Sequence, residues 1–84
     1  NMMKTAKLFI DGSEYCDIEY MHDRYLGHCV DLNLQDKIDL SEYNDGDSFE
    51  WHAENEYGEV IIRGMATVNF TPSVTVKVDD ESGA

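Results

Sequence analysis

Apolar and polar residues alternate with period two in several stretches of this chain, and no long window keeps helical spacing. That pattern predicts half-buried strands. Six are read from it, over 5–10, 14–22, 28–34, 47–54, 59–70 and 74–79. Cys16, Ile18 and Tyr20 alternate with Asp17 and Glu19, and Val30, Leu32 and Leu34 alternate with Asp31 and Asn33. Phe49, Trp51 and Ala53 share one face, as do Val60, Ile62, Ala66, Val68 and Phe70.

Residues opposed across an antiparallel pair lie on the same face, so these patterns imply registers. Tyr20 is expected opposite Val30, which also sets His22 against His28 and Glu19 against Asp31. Ala53 opposite Val60 leaves the turn Asn55-Glu56-Tyr57-Gly58, with Gly58 suited to a positive φ. It also sets Trp51 against Ile62, Phe49 against Gly64, Glu50 against Arg63 and Glu54 against Glu59. Val68 opposite Val76 places Thr71-Pro72-Ser73 in a loop, where proline removes no ladder bond. In the first hairpin Asp11-Gly12 suggests a two-residue turn, but that register throws Cys16 and Ile18 off the apolar face. A three-residue loop, Asp11-Gly12-Ser13, opposes Leu8 with Cys16 and Ala6 with Ile18, and is preferred because a one-residue slip flips every side chain.

The expected fold is all-β. Six antiparallel strands form two three-stranded meanders, 5–34 and 47–79, packed into a small sandwich or partly closed barrel. The crossing segment carries Ile38 and Leu40 toward one end of the core and leaves room for one short helical turn near 38–43. The chain reads as a single domain over 1–84, with flexible ends at 1–3 and 80–84. Phe9, Phe49, Trp51 and Phe70 read as core; Tyr15, Tyr25, Tyr43 and Tyr57 read as outer-face or loop residues.

Composition narrows the function. The 84 residues hold 18 Asp and Glu against 6 Lys and Arg, a formal charge of −12. Nucleic-acid binders present clustered Lys and Arg, so direct phosphate binding is not expected. Anionic membrane surfaces are disfavoured for the same reason. No run approaches the roughly 18 apolar residues of a membrane span. An apolar signal segment is not evident, which makes a cytoplasmic location the expectation. Cys16 and Cys29 then read as free thiols, Cys16 as a small buried hydrophobe and Cys29 as the more exposed. Asn69-Phe70-Thr71 is a formal glycosylation sequon, read as chance.

Candidate chemistry mostly fails on spacing. Cys16 and His22 stand about 20 Å apart along one strand at 3.3 Å per residue, far beyond a shared zinc. Cys-x-x-Cys does not occur. Asn44-Asp45-Gly46-Asp47 lacks the ligand spacing of a calcium loop. Neither a glycine-flanked nucleophilic serine nor a phosphate-cradling glycine motif is present. The expectation is a protein that is not an enzyme and takes no cofactor and no metal.

The arrangement of acids is more informative than their number. From Ile38 through Ile62 there is no Lys or Arg. Asp45, Asp47, Glu50, Glu54, Glu56 and Glu59 fall in that interval, and Asp17 and Glu19 form a second outward row. These eight residues are the candidate partner-binding face. Outward carboxylates at i and i+2 lie about 6.6–6.8 Å apart, comparable with neighbouring phosphates on a nucleic-acid strand. Such a surface keeps a small protein soluble. It also suits a basic protein partner, since complementary charge speeds and selects association.

The expected function is therefore that of a small acidic, non-enzymatic protein-binding protein; by analogy of size and charge, one form of it is a phage-type inhibitor, anti-CRISPR or anti-restriction, that occupies a basic nucleic-acid-binding surface. An immunity protein against a basic nuclease toxin would use the same chemistry. The opening segment Ala6-Lys7-Leu8-Phe9-Ile10-Asp11-Gly12 resembles the start of tube-forming proteins of phage tails and type VI secretion, over less than a quarter of the chain. That resemblance implies a structural or assembly module instead. Monomer and homodimer both fit the sequence.

Overall fold

The structure is a computed structural model and describes residues 3–23, 28–30, 34–71 and 74–83. The strands are β1 (Met3–Ile10), β2 (Ser13–Asp23), β3 (His28–Val30), β4 (Ser48–Glu54), β5 (Val60–Asn69) and β6 (Thr75–Gly83). Five are long; β3 is a three-residue edge. Two 3-10 turns, Leu34–Asp36 and Leu40–Glu42, lie between β3 and β4. The fold is all-β and antiparallel, and the second turn is the helical turn expected near 38–43.

The strands make one sheet in the order β3-β2-β1-β4-β5-β6. This corrects the expectation of two separate three-stranded meanders stacked as a sandwich; of the two expected arrangements, the partly closed barrel is the nearer. The first strands of the two halves meet edge to edge, where β1 pairs with β4 and sets Leu8 against Ala53 and Ile10 against Trp51. Stacked sheets would leave the backbone groups of both edges unpaired, and the β1–β4 ladder satisfies them. The single sheet curls into a half-barrel, and β3 comes near β5 across it. Its inner face buries Leu8, Ile18, Phe49, Trp51, Ala53, Ile62 and Val68, and Leu34 and Ile38 from the connection complete the core.

The first hairpin reconciles two signals that conflict in the sequence. Asp11 (φ 49°) and Gly12 (φ 82°) are both left-handed, as a two-residue type I′ turn requires. Ser13 pairs with Ile10, so the three-residue loop is corrected. Yet Leu8 opposes Cys16 and Ala6 opposes Ile18, because the register shifts between Leu8 and Phe9. Glu14 opposes Phe9 and Cys16 opposes Leu8, so Tyr15 is the extra residue of a β-bulge.

The β4–β5 hairpin uses the same device. Gly58 N donates to Asn55 O at 3.0 Å, Asn55 N donates to Glu59 O at 2.9 Å, and Gly58 has φ 78°. A second shift follows at Ala53/Glu54. The register therefore differs from expectation by two residues, and the apolar faces still coincide. Trp51 opposes Gly64, Phe49 opposes Ala66 and Ala53 opposes Ile62. Every bulky inward residue meets a small one, where the expected register set Trp51 against Ile62. Interdigitation of large with small side chains favours the observed pairing.

Other corrections come from the edges. Met21, not Tyr20, opposes Val30, and His22 opposes Cys29, not His28. The expected third strand ran on to Leu34, but Leu34 reaches the core from a 3-10 turn. A three-residue strand buries too little to hold the register that Leu32 and Leu34 suggested. The Glu19–Asp31 pairing and Tyr25 lie outside the described residues. Val68 does oppose Val76, and β6 continues to Gly83, past the expected end at 79. Phe9 is half-buried and opposes His52 on the outer face, and Phe70 is 39% exposed, so neither is core. Tyr15 packs partly against the core, contrary to expectation, and Tyr43, in the connection as expected, does so too.

At the free edge of β6, a side chain stands where a strand would. Val76 N donates to Gln35 Oε1 at 2.9 Å, and the turn holding Gln35 packs beside β6. Leu8→Ala at the fully buried join of β1 and β4 is expected to cost about 2–5 kcal/mol. Gln35→Ala removes one hydrogen bond and is expected to cost about 1 kcal/mol. Urea unfolding of both variants checks the ranking; a Gln35→Ala loss equal to that of Leu8→Ala would contradict it.

Candidate functional site

The eight candidate acids divide by what their carboxylates already do. Asp45 and Asp47 belong to the turn that leads into β4. Gly46, at φ 86°, donates its N–H to Val68 O at 2.7 Å, and Val68 N donates to Asp47 O at 2.9 Å. Asp45 Oδ1 accepts from Phe70 N at 3.0 Å, and Asp47 Oδ2 accepts from Asn44 N at 2.7 Å. These acids are turn builders, since a short carboxylate satisfies backbone donors that no strand reaches. Asp11 acts likewise, with Oδ1 accepting from Glu50 N at 3.0 Å. Asp39 caps the turn Leu40–Glu42, and its bonds from the Ser41 hydroxyl and Ser41 N hold its carboxyl below the ordinary range.

Glu56 and Glu59 sit on the exposed β4–β5 tip, which Asn55 organises. Asn55 Oδ1 accepts from Tyr57 N at 2.9 Å and Glu59 N at 3.0 Å, while Nδ2 donates to Glu59 Oε1 at 3.0 Å. Tyr57 stands out from this tip, 78% exposed, and the Glu56 carboxylate beside it pushes its phenol up. Glu54 does not face Glu59 as expected; it opposes Val60.

The outer face of the sheet carries the rest. Asp17 and Glu19 are exposed on β2 and Glu50 is exposed on β4. Among the described residues, the carboxylates of Glu19 and Glu50 take no hydrogen bond or ion pair. Glu50 opposes Met65, and His52 takes the place opposite Arg63 that was expected for Glu50. Lys7 opposes both Asp17 and Glu54 from the strand between them. Its ammonium lies 3.2 Å from Asp17 and 3.6 Å from Glu14, and the Asp17 hydrogen bond raises it above the ordinary range. Both pairs are exposed, so they contribute little stability.

Sequence reasoning missed the cluster around His52. Pairing β1 with β4 puts Phe9 beside His52, and their rings stack at 4.6 Å with an interplanar angle of 5°. His52 Nε2 lies 2.8 Å from Glu54 Oε2, with both side chains only about a quarter exposed (26% and 29%). Period-two spacing places His52 and Glu54 on one face; the ring partner depends on a strand pairing that no local pattern announces. An open groove of about 460 Å³ adjoins, lined by Gly12, Glu50, Trp51, His52, Val60, Arg63, Gly64 and Met65. Among the described residues no three His, Cys, Asp or Glu side chains converge as a metal site would need. Trp51 Nε1 is buried without a hydrogen-bond partner among them, which costs roughly 1–3 kcal/mol.

The remaining polar constellation ties the connection to the sheet. The Tyr15 bulge turns its hydroxyl to accept from Asp39 N at 2.8 Å, with Glu42 Oε1 3.5 Å away. Cys16 is half-buried against the core, with Sγ 4.0 Å from Lys37 O, and burial pushes its thiol up. The thiolate is the reactive form. In a Cys29→Ser background, iodoacetamide is therefore expected to modify Cys16 several-fold more slowly at neutral pH than it modifies a free thiol; equal rates would contradict this. Among the described residues no helix is long and apolar enough to cross a membrane. No protein-family model matches this chain, and neither a curated protein nor a solved structure matches it.

Proposed function

We propose that this chain is a small, acidic, non-enzymatic binding protein whose partner is a basic protein. The observation that carries the reading is the uninterrupted absence of Lys and Arg from Ile38 through Ile62, in a chain of formal charge −12. The fold supports it by keeping Glu19, Glu50, Glu56 and Glu59 at exposed positions. Asp45 and Asp47 serve the turn and recede from the proposed contact. The functional class that best fits is an inhibitor of the anti-CRISPR or anti-restriction type, which fills a cationic groove made for nucleic acid. The open shape of the groove beside His52 fits a contact surface better than a catalytic cleft, which would enclose its reactants.

Such an interaction is steered by charge and weakens as salt screens it. Binding to a purified nucleic-acid-processing protein with an exposed basic channel is expected to fall steeply over a salt series. Competition by single-stranded nucleic acid is expected at the same site. Combined Glu50→Lys, Glu56→Lys and Glu59→Lys reversals are expected to weaken binding at least about tenfold at low salt. An Asp45→Asn variant is expected to retain affinity while losing some stability. Unchanged affinity in the triple variant would overturn the reading.

A further inference from the structure

We propose that the His52–Glu54 pair makes the outer face of the half-barrel responsive to pH, so that a protonated imidazole weakens its hold on a basic partner. The inference rests on the reading of the acidic surface as a docking face. It starts from the 2.8 Å contact between His52 Nε2 and Glu54 Oε2. An ionised carboxylate can only accept, so Nε2 carries the proton and Nδ1 of the neutral ring is bare. The ring is also held in place by its stack on Phe9. Protonation therefore occurs at Nδ1 of an imidazole that is already oriented.

The groups facing this ring come from four strands. Glu50 and Glu54 share its face of β4. Lys7 of β1 opposes Glu54, Glu14 of β2 opposes Phe9, and Arg63 of β5 opposes His52. Proton uptake changes this surface in two ways. Glu54 ceases to be a carboxylate bonded to a neutral ring and becomes half of an ion pair. A second cation appears beside Arg63. Both changes reduce the attraction for a cationic partner. The pair is about three-quarters buried, so solvent screens it less than it screens Lys7 and Asp17. Histidine is the side chain whose charge ordinarily changes between about pH 5 and 8.

The test uses the whole chain and an oligolysine peptide as probe, with calorimetric affinities at about pH 8 and about pH 5.5. The wild type is expected to lose about two- to fivefold more affinity on acidification than His52→Gln, which has no proton to take up. Equal losses in the two proteins would overturn the inference and leave the docking reading intact. No binding of oligolysine at the higher pH would overturn both. Nitrogen NMR of the ring provides a readout without a partner. The neutral wild-type ring is expected to show the Nε2–H tautomer, and Glu54→Gln to show a mixture; an Nδ1–H ring in the wild type would overturn the pair.

Discussion

The structure depends on the ladder between β1 and β4. Without it the chain would be two sets of hairpins, each with one apolar face and two open edges. Neither apolar face would then have the other to close over it. The ladder sets Leu8 against Ala53 and Ile10 against Trp51, two contacts at the middle of the core. It also creates the outer-face cluster, because the same pairing sets Phe9 beside His52. The core and the candidate site are thus two faces of one strand pair.

Bulges let that sheet close. Register shifts occur at Leu8/Phe9, at Ala53/Glu54 and at Met65/Ala66. Each increases twist and bends its strand, which a flat sheet would need in order to wrap around a small core. The first also redirects Tyr15, whose hydroxyl then holds Asp39 and the connection. Curvature and the anchoring of the connection come from the same extra residue.

Alternation made the inward faces of β1, β2, β4 and β5 legible, and the Leu8–Cys16 and Val68–Val76 pairs followed from it. Bulges were not legible, because one inserted residue leaves no mark in composition. The first hairpin shows the effect: the turn signal and the parity signal were each right about part of it, and only Tyr15 reconciles them. The β1–β4 join was hidden for another reason. Its strands are far apart in sequence, and nothing local distinguishes an edge that pairs from one that stays open. Most of the acids were legible as exposed positions, though Asp47 and Glu54 are half-buried, and their roles were not legible. Asp45 and Asp47 look like surface charge in the sequence, whereas their carboxylates terminate backbone donors.

The order of strands has a kinetic consequence. Each hairpin joins neighbours in the chain, so little loop entropy is lost when it closes. The β1–β4 ladder instead encloses β2, β3 and the whole connection, and closing so long a loop must precede any contact that rewards it. Loop closure of this length slows folding relative to a chain of purely local contacts. The Leu8–Ala53 pair is thus among the contacts whose formation carries the largest loop-closure cost.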